Sequence, residues 1–101
     1  MNKKHIIEFY GATCPFCIRM APHVDRLETE EAVVVDRLEV WNNAENKSKM
    51  EALTELYEKE CNGNMVVPSF YDAETNRLIC NPGSYEALKK WVFDAGLFRY
   101  Q

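Results

Sequence analysis

From His5 to Tyr10 (HIIEFY) apolar and β-branched residues crowd a short run, and from Ala32 to Trp41 (AVVVDRLEVW) a second run starts apolar and then alternates. Both patterns predict strands. Between them Cys17, Met20, Ala21, Val24 and Leu27 recur at helical spacing, which predicts a helix from Pro15 to about Glu28 with one buried stripe. A second helix is predicted from Asn46 to Glu60, where Met50, Leu53, Leu56 and Tyr57 share a face that Cys61 continues and Asn62-Gly63-Asn64 ends. Val66 to Tyr71 and Arg77 to Cys80 read as the strands of a hairpin around Asp72-Ala73-Glu74-Thr75-Asn76. After Asn81-Pro82-Gly83, Ser84 can cap a last helix with the stripe Tyr85, Leu88, Trp91, Val92 and Ala95, stopped by Gly96. The predicted order is β-α-β-α-β-β-α, an α/β chain with a four-stranded mixed sheet flanked by three helices.

At 101 residues with 47% hydrophobic and 12% aromatic residues, the chain is sized for one domain spanning 1–101. Its net charge of -4 comes from interspersed acids and bases, which leaves a nucleic-acid partner without an electrostatic footprint. The opening Met1-Asn2-Lys3-Lys4-His5 leads into too few apolar residues before Glu8 for a secretory signal or a membrane span. The expectation is therefore a cytoplasmic chain without a membrane partner, and a monomer is expected separately from this. In that setting its four cysteines would stay reduced, which favours catalytic or metal-binding use over a disulfide scaffold.

Cys14 and Cys17 stand where the first strand gives way to the first helix, with Cys14 at the N-cap and Pro15 at the first helical position. Helix geometry puts Cα atoms three residues apart at about 5 Å, within reach of an unstrained disulfide. Free N–H groups and the positive end of the helix dipole favour a thiolate at Cys14, the form that attacks disulfides. Cys17 falls on the buried stripe, a better place from which to resolve a mixed disulfide. The pair therefore predicts a redox-active disulfide, with Cys14 as nucleophile. A zinc site would need two more ligands from Cys61, Cys80, His5 and His23, none of which forms a second close pair. No cofactor and no metal is expected.

At this point the chain resembles the thioredoxin-like superfamily. Ile7-Glu8-Phe9-Tyr10-Gly11-Ala12-Thr13-Cys14-Pro15-Phe16-Cys17 is similar to the segment entering the active site of thioredoxins and protein disulfide isomerases, and Thr13-Cys14-Pro15-Phe16-Cys17 is closer to glutaredoxins. Pro22 matches the thioredoxin habit of a proline five residues after the second cysteine. Val67-Pro68-Ser69 resembles the family's cis-proline loop, which implies that Val67 and Pro68 offer substrates a backbone edge opposite the disulfide. Glu8, six residues before Cys14, matches the family's buried acid that relays protons to the second cysteine. Read from physics alone, it is either such an acid, its pKa raised by burial, or a strand-face carboxylate paired with Lys3, Lys4 or Arg37.

The resemblance implies a thiol-disulfide oxidoreductase acting on protein disulfides, recharged by a thioredoxin reductase or by glutathione. Thr13 replaces the Trp that usually precedes the thioredoxin motif, and the segment from Trp41 to Pro68 is longer than in a typical thioredoxin. Glutaredoxins usually place a basic residue before the motif and Gly-Gly-x-Asp after the last strand; here no Lys lies between Glu8 and Cys14, and Pro82-Gly83-Ser84-Tyr85 takes the second place. One alternative is a glutaredoxin-like, glutathione-dependent reductase needing only Cys14. Another, of a different class, is a metal or iron-sulfur carrier using Cys14 and Cys17 with Cys61, Cys80 or a second subunit.

Phe16 cannot fill the helix stripe from its position and is expected at an apolar rim for substrate peptides. Cys61 is in phase with an apolar helix face and Cys80 ends an apolar strand, so both are expected to act as small buried hydrophobes, a regulatory or third-thiol role being the alternative. His5 and His23 are expected in solvent, Tyr85 and Trp91 in the core.

Overall fold

The computed structural model describes residues 3–98, with side chains through Phe93. Four strands, β1 (Lys4–Tyr10), β2 (Val33–Glu39), β3 (Ser69–Asp72) and β4 (Arg77–Cys80), make one sheet in the order β2-β1-β3-β4. β1 and β2 run parallel, whereas β3 is antiparallel to both β1 and β4. α1 (Pro15–Glu30) supplies the crossover that a parallel pair requires, and β3 and β4 need only a short turn.

Alternation along β1 sends Ile6 and Glu8 to one face of the sheet and Ile7 and Phe9 to the other. On the first face Ile6 packs with Met20, Val24 and Leu27 of α1 and with Leu88 and Val92 of α4 (Tyr85–Phe98). On the second, Phe9 and Leu78 pack with Met50 of α2 (Ala44–Glu51) and with Tyr57 and Cys61 of α3 (Thr54–Cys61). Tyr85 and Trp91 lie in the core, as their spacing predicts.

Four helices therefore flank the sheet, not three. The single helix expected over Asn46 to Glu60 starts earlier, at Ala44, because the Asn43 side chain caps it by accepting the Asn46 N–H. It then breaks at Ala52 and Leu53, where the Thr54 hydroxyl donates to the Glu51 carbonyl oxygen at 2.5 Å. The break lets Met50 face Val40 while Tyr57 and Cys61 turn toward β4.

Three expected boundaries also move. β3 begins only at Ser69, since Pro68 has no N–H for a ladder and Val66 is left exposed before it. β2 gives up regular pairing after Glu39, although Val40 N–H still bonds the Tyr10 carbonyl at 2.8 Å. Gly96 does not stop α4, which continues to Phe98; the Ala95 side chain lies outside the described residues.

Candidate active site

α1 begins beyond the carboxyl end of β1. Cys14 is its N-cap, in an extended conformation, and its Sγ accepts the Cys17 N–H at 3.2 Å. Pro15 follows at the first helical turn, where a missing N–H leaves nothing unpaired. On its other side the Cys14 thiol points at the Val67 carbonyl oxygen, 3.7 Å away. The Val67–Pro68 peptide is cis, as the resemblance implies. Cys14 keeps only 3% exposure between exposed neighbours Thr13 and Pro15, so an incoming sulfur has a narrow approach.

Cys17 lies one turn in, buried on the α1 stripe, with the Gly11 N–H directed at its Sγ at 3.5 Å. Burial, and after it the hydrogen bond with Cys14, pushes its thiol up to about 12. Both sulfurs are free thiols in this structure.

Glu8 is buried on the same side of the sheet as Cys17. Burial raises its carboxyl to about 7 against the opposing field of Arg37, its partner in the β1–β2 register. The strand-face alternative does not hold for two of its three proposed partners. Lys4 bonds Asp72 at 2.5 Å, and Arg37 bonds Asp25 at 2.7 Å and Glu28 at 3.0 Å. A cavity of about 160 Å³ lined by Glu8, Tyr10, Cys17, Ala21 and Arg37 connects the acid to the buried thiol.

Phe16 is 52% exposed beside Cys14, with the Arg19 guanidinium 4.8 Å over its ring. His5 is exposed, while His23 is half-buried with its ring 6.4 Å from that of Tyr85, which corrects the expectation of solvent on both. Among the described residues no group of three or more His, Cys, Asp or Glu converges where a metal ion could be held.

Cys61 and Cys80 are not free hydrophobes. They form a disulfide with Cα atoms 6.1 Å apart, and neither sulfur remains a thiolate ligand. The pairing follows from β4, whose last residue lies beside the last turn of α3.

Two site residues escape a periodicity reading. The Glu39 carboxylate accepts backbone N–H groups of Ala12 at 3.0 Å, Trp41 at 3.0 Å and Asn42 at 2.8 Å. It thereby ties the loop leading into Cys14 to the turn after β2. Burial works against its charge, but these bonds hold its pKa below the usual carboxylate range. Trp41, 53% exposed, lays its indole over Gly11 so closely that any Cβ there would sit 2.3 Å from the ring. The signal was a carboxylate followed by Trp41-Asn42-Asn43, a turn whose backbone donors need an acceptor.

No protein-family model matches the chain, and no curated protein sequence does. Two solved structures align with 93% of this chain and 80% of their own, each at 23% identity and a TM-score of 0.55. One is the oxidised form of mitochondrial thioredoxin 3 from Saccharomyces cerevisiae. The other concerns the thiol-resolving mechanism of a yeast mitochondrial 1-Cys peroxiredoxin via the glutathione/thioredoxin systems. The chain has a thioredoxin-like fold. No helix among the described residues is long and apolar enough to cross a membrane.

Proposed function

We propose that the chain is a thiol-disulfide oxidoreductase that reduces or exchanges protein disulfides through Cys14 and Cys17. The observation that carries this reading is the placement of the Cys14 sulfur between the Cys17 N–H and the Val67 carbonyl, with a second thiol buried one turn behind it.

Cys14, as thiolate, attacks one sulfur of a substrate disulfide; that S–S bond breaks, the far sulfur leaves, and Cys14 holds the near one as a mixed disulfide. Cys17 then loses its proton and attacks the Cys14 sulfur. The second substrate thiolate leaves, and the Cys14–Cys17 disulfide carries the two electrons' worth of oxidation. The high pKa of Cys17 keeps it protonated until it is needed, and Glu8, poised near neutrality across the shared cavity, accepts the proton. A cavity of that size has room for bridging water.

Val67 and Pro68 present a backbone edge to an extended substrate, and Phe16 adds an apolar contact beside it. Two thiols, from one dithiol or from two monothiol molecules, return the enzyme to its starting state: the first attacks the Cys14–Cys17 bond, the second attacks the mixed disulfide, and the reductant leaves as its own disulfide. Glutathione and a thioredoxin reductase are the two candidates, and the reading puts the chain in the cytoplasm, where both poise thiols.

The test is insulin disulfide reduction driven by dithiothreitol. Catalysis by the chain that disappears in Cys14→Ser supports the reading; a rate no faster than dithiothreitol alone overturns it. Activity kept in full by Cys17→Ser, with glutathione as reductant, would instead favour the monothiol, glutaredoxin-like alternative.

A further inference from the structure

Between α3 and β3, residues 62–68 form a strap that brings the Val67 carbonyl to Cys14. At its near end the Gly63 N–H bonds the Tyr57 carbonyl at 2.9 Å and the Asn64 N–H bonds the Cys61 carbonyl at 3.1 Å. At its far end the Asn81 N–H bonds the Pro68 carbonyl at 2.8 Å, and Ser69 pairs with Cys80 across β3 and β4. From Met65 to Val67 no backbone–backbone hydrogen bond is made among the described residues. The strap thus hangs from two anchors, one at Cys61 and one beside Cys80, and the disulfide joins those anchors.

The geometry points to Cys61–Cys80 as a second redox site, a latch that holds the Val67 strap in register with Cys14 when closed and frees it when reduced. This inference rests on the oxidoreductase reading given above. Access favours attack at Cys80. Cys61 is 9% exposed, whereas Cys80 is half-buried and lines an open cavity of about 290 Å³ with Glu60, Arg77 and Trp91.

The reductant is a dithiol. One of its thiolates attacks the Cys80 sulfur, the Cys61–Cys80 bond breaks, and Cys61 leaves and takes up a proton. The second thiolate then attacks the sulfur joining the reductant to Cys80, so Cys80 departs as a thiol and the reductant closes its own disulfide. Two electrons and two protons enter the latch, and oxidation reverses each step.

Opening does not release α3. Tyr57 is fully buried, and its hydroxyl bonds that of Ser69 at 2.6 Å, so the helix stays docked while its last turn and the strap lose their covalent tie. An extended polypeptide that pairs along Val67 then meets a disordered edge and must order it on binding. A small disulfide that meets only the Cys14 sulfur is indifferent to the strap.

The experiment uses Cys17→Ser protein, which halts at the mixed disulfide, with the latch closed or removed by Cys61→Ala/Cys80→Ala. Two reagents are compared: a disulfide-bridged peptide and the small aryl disulfide 5,5'-dithiobis(2-nitrobenzoate). Losing the latch is expected to slow the peptide reaction by at least about 5-fold and leave the small disulfide within about 2-fold. Amide exchange over 62–68 should rise roughly 10-fold while α1 is unchanged.

Equal rates with both reagents, or an equal loss on both, would overturn the latch and leave a structural staple. Should the double variant fail to fold, the Cys17→Ser protein is poised against graded ratios of reduced and oxidised dithiothreitol and alkylated for mass spectrometry. Opening of Cys61–Cys80 with the fold intact, and the peptide rate falling in step, supports the latch; opening only on unfolding overturns it. A closed-latch protein whose Cys14 reacts with neither reagent defeats the oxidoreductase reading itself, a result distinct from reaction that ignores the latch.

Discussion

The Cys14 sulfur sits 3.7 Å from the carbonyl oxygen of Val67, a residue 53 positions away in the chain. That contact brings the end of β1 and the entrance to β3 to one point on the surface, and a substrate strand lying along Val67 would carry its cystine onto the Cys14 sulfur. With Cys17 replaced by Ser the reaction should stop there. Incubating Cys17→Ser with a cystine-bridged polypeptide is expected to yield a stable covalent adduct at Cys14, seen as a mass increase that dithiothreitol reverses. Wild-type protein should show almost none, because Cys17 clears it. Equal adduct in both proteins would remove Cys17 from the resolving role.

Gly11 has no room for a side chain under the Trp41 indole. Gly11→Ala should therefore push the ring outward, with a cost of roughly 1–3 kcal/mol as for other overpacked sites. The readouts are urea unfolding and tryptophan emission, which should shift to the red as Trp41 gains solvent; Trp91 stays in the core as a fixed background. Trp41→Ala on top of Gly11→Ala removes the clash and is expected to recover much of the loss. A Gly11→Ala protein with unchanged emission would mean that the indole is not held over this position.

The element order was legible because each amphipathic segment keeps one period over its length. The strand HIIEFY and the α1 stripe Cys17, Met20, Val24 and Leu27 point the same way in propensity, pattern and burial. The N-cap place of Cys14 and the cis bond at Pro68 were legible too, the first from Pro15 and the second from the resemblance.

What stayed hidden depends on contacts between distant segments. The break at Ala52 and Leu53 leaves Met50 and Tyr57 in an unbroken helical phase, so periodicity alone reads one helix. Cys61 and Cys80 look like core hydrophobes until β4 is laid beside α3, 19 residues along the chain. The Glu39 bridge depends on two loops meeting: the turn after β2 asks for an acceptor, but nothing in the local pattern ties that carboxylate to the distant Ala12 N–H.

Lys4 and Asp72 form an ion pair at the far end of the sheet, linking β1 to β3, with the Asp72 side chain fully buried. Burial pushes the Asp72 pKa up, but Lys4 and the Glu74 N–H more than reverse this and hold it below the usual range. Its stabilising share is thus present above the unfolded pKa of about 3.9 and is lost as pH falls through the lower folded value. Lys4→Met leaves a buried charge without its partner and should cost on the order of 3 kcal/mol at neutral pH. Urea unfolding at pH 7 and in acid checks this: the gap to wild type should shrink as Asp72 takes up a proton. A gap that is constant with pH would assign the loss to packing of the Lys4 stem instead.

Glu8 sets stability against chemistry. Its carboxyl is raised from 4.5 to about 7 in the folded chain, chiefly by burial. Between those values the folded state keeps a proton that the unfolded state has already released, so stability falls as pH rises and levels off above about 7. The shift corresponds to roughly 3 kcal/mol at one pKa unit per 1.36 kcal/mol. Glu8→Gln, neutral at every pH, should match wild type near pH 4 and exceed its stability by roughly 2–3 kcal/mol at pH 8. The same substitution removes the proposed acceptor for the Cys17 proton. Single-turnover clearance of the Cys14 mixed disulfide should rise through pH 7 in wild type and be slower, with that inflection gone, in the variant. A gain in stability with an unchanged pH–rate profile would leave Glu8 as a buried acid without a part in proton transfer. No gain at pH 8 would mean that the carboxylate is compensated in the fold, and Arg37, the cation whose field opposes the shift, would be the first group to replace.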